Sequence, residues 1–357
     1  MRTRQRWLAG LLGAAALSFI LACEMKQSSY TFESSDPSAT EASVSLSAWV
    51  VDWQLDMGIH DFTALSDRLS GLHLFALYFN DRDALHFTPE LKEELPELLE
   101  RARKSPELDV YLTVVNDIWR ADGTAVQKDT DLVTRLVATE QSRRQHVQDL
   151  VDAALTYGFD GIEIDYERVG DTDWENMTAF YTELYQALKA DGKKLRILFE
   201  PSAPLEELSF TLPDGPAYVV MAYNLYGYHS GPGPKADREF LKKLAQRVKD
   251  IPGGIHVALS TGGFSWTEEG KVTAVTELEG EKLAKQYQAN QQRDPASGAV
   301  YFDYTDDAGN RYTVWYADAE TFEMWIETLK EEGIDKVALW RLGELGQGTL
   351  QYLNEVK

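Results

Sequence analysis

The sequence predicts an α/β fold, a (β/α)8 TIM barrel, with a small β-rich insert between the seventh strand and the last helix. Three observations carry this. Eight short apolar, β-rich runs alternate with polar segments of helical spacing. Several of the helical segments end at a glycine (Gly158, Gly192, Gly333), as helix C-termini do. Acids and aromatics gather at the C-terminal ends of the runs, where a parallel barrel carries its chemistry. A doubly wound open sheet shares the alternation; the placement at strand ends is what favours the barrel.

The elements follow in order. Residues 1–22 read as a leader: Arg2, Arg4 and Arg6 precede an apolar run from Trp7 to Ala22. The run ends "ILAC", which resembles a bacterial lipobox and would make Cys23 the first, lipid-bearing residue of the mature chain. Residues 23–42, rich in Ser, Thr and Glu, read as a flexible tether. The barrel is expected over 43–357. Its strands are expected in "VSLSAWVVDW" (44–53), "LHLFALYFN" (72–80), "DVYLTVV" (109–115), "GIEIDYE" (161–167), "KLRILFEP" (194–201), "AYVVMAYN" (217–224), "IHVALST" (255–261) and "DKVALWRL" (335–342). Helical spacing fills the gaps, for instance "TPELKEELPELLERARK", "SRRQHVQDLVDAALTYG" and "AETFEMWIETLKEEG". The long connection of about 264–318 contains two β-rich runs flanking Asp307, Gly309 and Asn310, a hairpin signal within the insert.

Composition narrows the function. The 357 residues carry a formal net charge of −23, which argues against a nucleic-acid partner, because phosphate binding needs a basic face. Cys23 is the one cysteine, so the chain has neither an intramolecular disulfide nor a cysteine metal cluster.

The fourth strand is unusual for its acids: Asp160, Glu163, Asp165 and Glu167 lie within eight positions. Side chains alternate along a strand. Glu163, Asp165 and Glu167 therefore share one face and Ile162 and Ile164 the other. In a barrel the isoleucines suit the helix-packed outside and the acids climb the lumen, with Asp160 at the strand entrance. Crowded carboxylates cannot all ionise, so a proton is held near the mouth, as a general acid requires. A solvated edge strand or a divalent-cation site would also hold such acids. The sequence places no histidine in the cluster, which argues against a transition-metal site.

"FDGIEIDYE" (159–167) resembles the D-x-x-D-x-D-x-E signature of glycoside hydrolase family 18, the chitinases and their relatives. Asp160, Asp165 and Glu167 match it, Glu163 stands where aspartate is usual, and Asp160 and Gly161 are expected to be structural residues of the motif. "VVMAYNLYG" resembles the family's sixth-strand motif through Met221, Tyr223 and Asn224, and "VALWRLGE" its eighth strand through Trp340. The C-terminal third is most similar to the cell-wall and spore-cortex branch. The resemblance implies substrate-assisted retaining hydrolysis of β-linked N-acetylglucosamine glycans, peptidoglycan or chitin, with no cofactor and no metal. Glu167 is then the acid and base, Asp165 the group that orients the substrate acetamide, Glu163 its proton-sharing neighbour and Tyr223 a donor to the acetamido oxygen. Asn224, Met221 and Trp340 would bind the sugar, and Tyr78 and Trp266, at strand ends, are expected to line subsites. The expected protein is a monomer, lipid-anchored outside the cytoplasm. Two other readings remain at this stage: a non-catalytic sugar-binding or solute-binding lipoprotein, and an endo-acting enzyme on N-glycans.

Overall fold

The computed structural model describes residues 43–357. The expected leader, the tether and Cys23 lie outside the described residues.

Eight parallel strands form the barrel: β1 (Ser45–Val51), β2 (Leu69–Phe79), β3 (Asp109–Trp119), β4 (Gly161–Asp165), β5 (Lys194–Phe199), β6 (Ala217–Met221), β7 (Ile255–Ser260) and β8 (Lys336–Trp340). Each pairs in parallel with the next, and β8 returns to β1, so the sheet closes. Closure excludes the open doubly wound sheet. Helices lie between the strands, and their starts are written locally. Thr88, Asp129, Thr139 and Asp237 each accept a hydrogen bond from the backbone N–H three residues on, satisfying a donor that the helix cannot. Gly158 ends the helix Glu140–Tyr157 in the left-handed region at φ 76°, where a side chain would be strained.

The alternation along β4 sorts its side chains as expected. Ile162 and Ile164 are fully buried in the layer between barrel and helices, each contributing about 1.5–3 kcal/mol of apolar burial. Glu163 and Asp165 point the other way, into a lumen they share with Trp49, Val51, Phe75, Val115, Leu198 and Val219 and with the buried polar side chains of His73, Thr113 and Arg196. Tyr166 turns outward again, its hydroxyl 2.7 Å from His146 Nε2 and its ring stacked against Phe180. That anchor preserves the parity that brings Glu167 back over the mouth.

Three features depart from the sequence reading. Strand β3 runs four residues beyond its expected end and folds back through the short antiparallel strand Ala125–Val126. Its polar residues Asn116 and Asp117 mask the continuation. A final helix, Gln347–Glu355, follows β8, so the insert precedes the penultimate helix, Ala319–Glu331. The insert is larger than a hairpin. It is a five-stranded antiparallel sheet in the order Val272–Val275, Gly262–Thr267, Arg311–Ala317, Val300–Thr305, Gln292–Arg293, with the helix Glu277–Gln286.

Candidate active site

A cavity of about 570 Å³ opens at the C-terminal ends of the barrel strands. Asp165, Glu167, Met221, Tyr223, Asn224, Trp340 and Tyr78 all line it, although they come from β2, β4, β6 and β8 or the turns after them. Barrel closure is what gathers them.

Glu167 sits just past the end of β4 and is held by its backbone. Asn116, near the end of β3, donates Nδ2 to the Glu167 carbonyl at 2.9 Å and accepts the Glu167 N–H at 3.0 Å. The next residue, Arg168, adopts φ 55° and donates its N–H to Glu200 Oε2 at 2.8 Å. The Glu167 carboxylate is paired with Lys128 Nζ. Burial pushes Glu167 up to about 7; Lys128 pulls against this rise and Glu200 adds to it. Asp165 is raised well above the carboxylate range by burial, then by the charges of Glu167 and Glu163. One of its oxygens, Oδ1, is buried without a hydrogen-bond partner. An unmatched buried acceptor is costly, so this oxygen is prepared for a donor from outside the chain.

Glu163 departs from its expected part. It is fully buried, and both oxygens are occupied. Oε1 accepts from Trp49 Nε1 at 2.6 Å and Thr113 Oγ1 at 2.8 Å, and Oε2 accepts from Arg196 Nε at 2.8 Å. His73 Nδ1 lies 3.0 Å from Oε2. Burial alone would raise this carboxyl, but its cationic and donor neighbours outweigh burial and hold it at about 2. His73 is itself lowered to about 4 by burial and then by Arg196. At neutral pH it carries no charge, so the Glu163 anion rests on Arg196, Trp49 and Thr113. Glu163 therefore remains a fixed anion and does not share a proton with Asp165. The sequence also placed no histidine in this cluster, whereas β2 supplies His73 and β7 supplies His256, whose Nδ1 lies 3.3 Å from Arg196 Nη1.

Tyr223 stays protonated: burial and then Asp165 and Glu167 raise its hydroxyl far above neutrality. Trp340 packs edge-on against Phe75 at 4.9 Å and Trp49 at 5.8 Å, which fixes its ring across the cavity. The peptide bonds Phe75–Ala76 and Trp340–Arg341 are both cis. Tyr78 donates to Asp52 Oδ1 at 3.2 Å. Trp53 and Trp119 stand exposed at the rim.

The two remaining motif residues build the strand. Asp160 Oδ2 accepts the Val110 N–H at 2.9 Å, tying β4 to β3. At Gly161 a Cβ would come within 2.6 Å of both the Lys194 carbonyl and the Tyr111 ring, so no larger residue fits unless the strands part. Trp266 does not reach the cavity. It is buried in the insert sheet, donates Nε1 to the Ser230 carbonyl at 3.1 Å, and borders a separate hollow with Tyr304 and Tyr312. The sequence reading missed Asp117, on the unexpected continuation of β3, and Lys128 and His229, which line the cavity from loops whose positions no spacing rule specifies.

A closed (β/α)8 barrel with paired carboxylates at the mouth of its fourth strand is the arrangement of a glycoside hydrolase. The chain belongs to the glycosyl hydrolases family 18, whose profile matches residues 123–344. The chain is 25% identical over 240 residues to the cortical fragment-lytic enzyme of Bacillus subtilis, a match that covers 61% of this chain and 54% of that protein. The chain thus spans about half the length of the curated relatives it matches. In fold it is similar to the Bacillus cereus spore cortex-lytic enzyme SleL, with a TM-score of 0.75, 20% identity, and coverage of 88% of this chain and 74% of that one. It is similar as well to a chitinase from Chromobacterium violaceum, with a TM-score of 0.74, 19% identity, and coverage of 87% and 98%.

Proposed function

We propose that the chain hydrolyses β-linked N-acetylglucosamine glycans with retention, using the substrate's own acetamide as nucleophile, and that peptidoglycan is its substrate. The observation that carries this is the Asp165–Glu167 pair: two raised carboxyls at the cavity floor, one with a buried oxygen awaiting a donor. An acetamido N–H is such a donor, and accepting it turns the acetamido carbonyl oxygen towards C1 of the same sugar.

Glu167, protonated, gives its proton to the glycosidic oxygen as the C1–O bond breaks. The acetamido oxygen closes onto C1 and forms an oxazolinium ion, whose positive charge Asp165 stabilises. Tyr223 donates to the acetamido oxygen and holds it in line. Glu167, now a carboxylate, takes a proton from the water that reopens the ring. Trp340 supports the reacting sugar, and Asn224 and Met221 border it. Cell-wall glycan is favoured over chitin because the relatives matched in sequence include cortical fragment-lytic enzymes and a sporulation-specific glycosylase. The basic-then-apolar leader ending at Cys23 supports placement outside the cytoplasm on a lipid anchor, and the tether would confine a monomeric enzyme near the wall.

The test is product analysis by mass spectrometry on N-acetylglucosamine oligomers and purified peptidoglycan, with Glu167→Gln alongside. New reducing N-acetylglucosamine ends that vanish in the variant support the reading. A folded protein that cleaves neither glycan overturns it.

A further inference from the structure

Lys128 has no part in the steps above, yet it is the side chain paired with the proposed acid. It comes from the hairpin that follows β3. The backbone enters the left-handed region at Lys128, φ 55°, and its N–H is donated to Asp117 Oδ1 at 2.8 Å. A non-glycine residue held there costs energy, and such positions cluster at functional sites. Among the residues lining the cavity, Lys128 is the one lysine or arginine; the acids around it are Asp117, Asp165, Glu167 and Glu200. Glu200 favours a proton on Glu167 and Lys128 opposes it. The ammonium therefore rests on the one group that must be protonated for the chemistry to begin.

We propose that Lys128 is a specificity residue for a carboxylate on the leaving-side sugar, and that this carboxylate draws it off Glu167 and so arms the acid. This rests on the function proposed above. In a glycan that alternates N-acetylglucosamine with N-acetylmuramic acid, cleavage after N-acetylglucosamine puts the proton on O4 of the muramic sugar. The adjacent carbon, C3, bears the lactyl ether, whose carboxylate is free wherever the sugar carries no stem peptide. A lysine in contact with the acid that reaches O4 is thus beside that carboxylate. Once Nζ has moved to it, Glu167 faces Asp117, Asp165 and Glu200 without a cation and takes a proton from solvent. The C1–O4 bond then breaks, its electron pair stays on O4, and O4 takes that proton. A polymer of neutral N-acetylglucosamine offers no such anion and leaves the ion pair in place.

The experiment compares two peptide-free oligomers with the full chain at pH 7.5: N-acetylglucosamine–N-acetylmuramic acid with free lactyl carboxylates, and the same oligomer with those carboxylates converted to methylamides. Wild type is expected to show kcat/KM at least tenfold higher on the carboxylate form. Lys128→Met should bring the two within about twofold and move the alkaline limb of kcat/KM to higher pH, and Lys128→Arg should keep the preference. Binding to Glu167→Gln, measured by calorimetry, should favour the carboxylate form tenfold, and the preference should disappear in Glu167→Gln/Lys128→Met. The proposal is overturned if wild type does not distinguish the two forms, or if Lys128→Met slows both equally. Cleavage of N-acetylglucosamine oligomers with no preference for the carboxylate form overturns this inference alone. Cleavage of none of the glycans, together with no binding to Glu167→Gln, overturns the proposed function as well.

Discussion

Arg196 Nε lies 2.8 Å from Glu163 Oε2 in the floor of the barrel, with both side chains almost fully buried. The pair sits one alternation below Asp165, where the family's usual residue is the shorter aspartate. Its length lets Glu163 reach Trp49, Thr113 and Arg196 together. Removing the charge at Glu163 leaves a buried guanidinium uncompensated, at a cost of about 3–5 kcal/mol. Glu163→Gln should therefore lower the denaturant midpoint substantially, and Glu163→Gln/Arg196→Met should recover part of the loss. A Glu163→Gln protein as stable as wild type would show that the pair does not hold the floor.

Acid should unfold the protein through the same cluster. Glu163 titrates at about 2 in the fold against 4.5 as its ordinary value. A depressed carboxyl stabilises fully above its unfolded pKa and loses that contribution as pH falls through the folded one. Glu163 thus supplies about 3 kcal/mol that is lost between pH 4.5 and 2. His73, lowered to about 4, acts in the same direction at higher pH, since the unfolded chain takes up its proton first. Urea titrations at pH 7, 5 and 3 should show the decline, and Glu163→Gln should flatten its lower segment.

Activity should depend on pH in the opposite sense. Glu167 works protonated and is raised to about 7, so kcat/KM should fall about tenfold per unit above neutrality. Glu167→Gln should lose about 10²- to 10⁴-fold in kcat while still binding glycan. A variant that retains half the wild-type rate would remove Glu167 from the acid role.

Asn116 is a positioning residue, because it holds both backbone polar groups of Glu167. Asn116→Ala should reduce kcat about 10- to 100-fold, as a small misplacement of the acid does, and leave KM nearly unchanged. A rise in KM with unchanged kcat would point to a sugar contact instead.

Gly161 tests the packing of β4. The methyl of Gly161→Ala has to displace the Lys194 carbonyl or the Tyr111 ring. Overpacking of this kind costs about 1–3 kcal/mol, readable as a lower thermal midpoint. A neutral result would mean that β4 and β5 can separate freely at that point.

Much of the molecule was legible in the chain. Eight apolar runs predicted eight strands, because a parallel strand buried on both faces has to be continuously apolar. The period of two along "GIEIDYE" placed Glu163 and Asp165 in the lumen and the isoleucines outside. Asp165, Glu167, Met221, Tyr223, Asn224, Trp340 and Tyr78 converge on one cavity as the strand ends implied, and Trp266 does not, because the insert carries it away.

What the sequence alone determined is local: periodicity, caps, and the face of each strand on which an acid stands. Tertiary structure decided which distant groups meet those acids. Arg196 from β5, Thr113 from β3 and Trp49 from β1 convert Glu163 from an expected proton partner into a permanent anion. Lys128, from a loop after β3, supplies the cation that restrains Glu167. A carboxyl's pKa depends on its burial and on charges within a few ångströms, and those neighbours lie tens to more than a hundred residues away in the chain. Their meeting is a property of barrel closure.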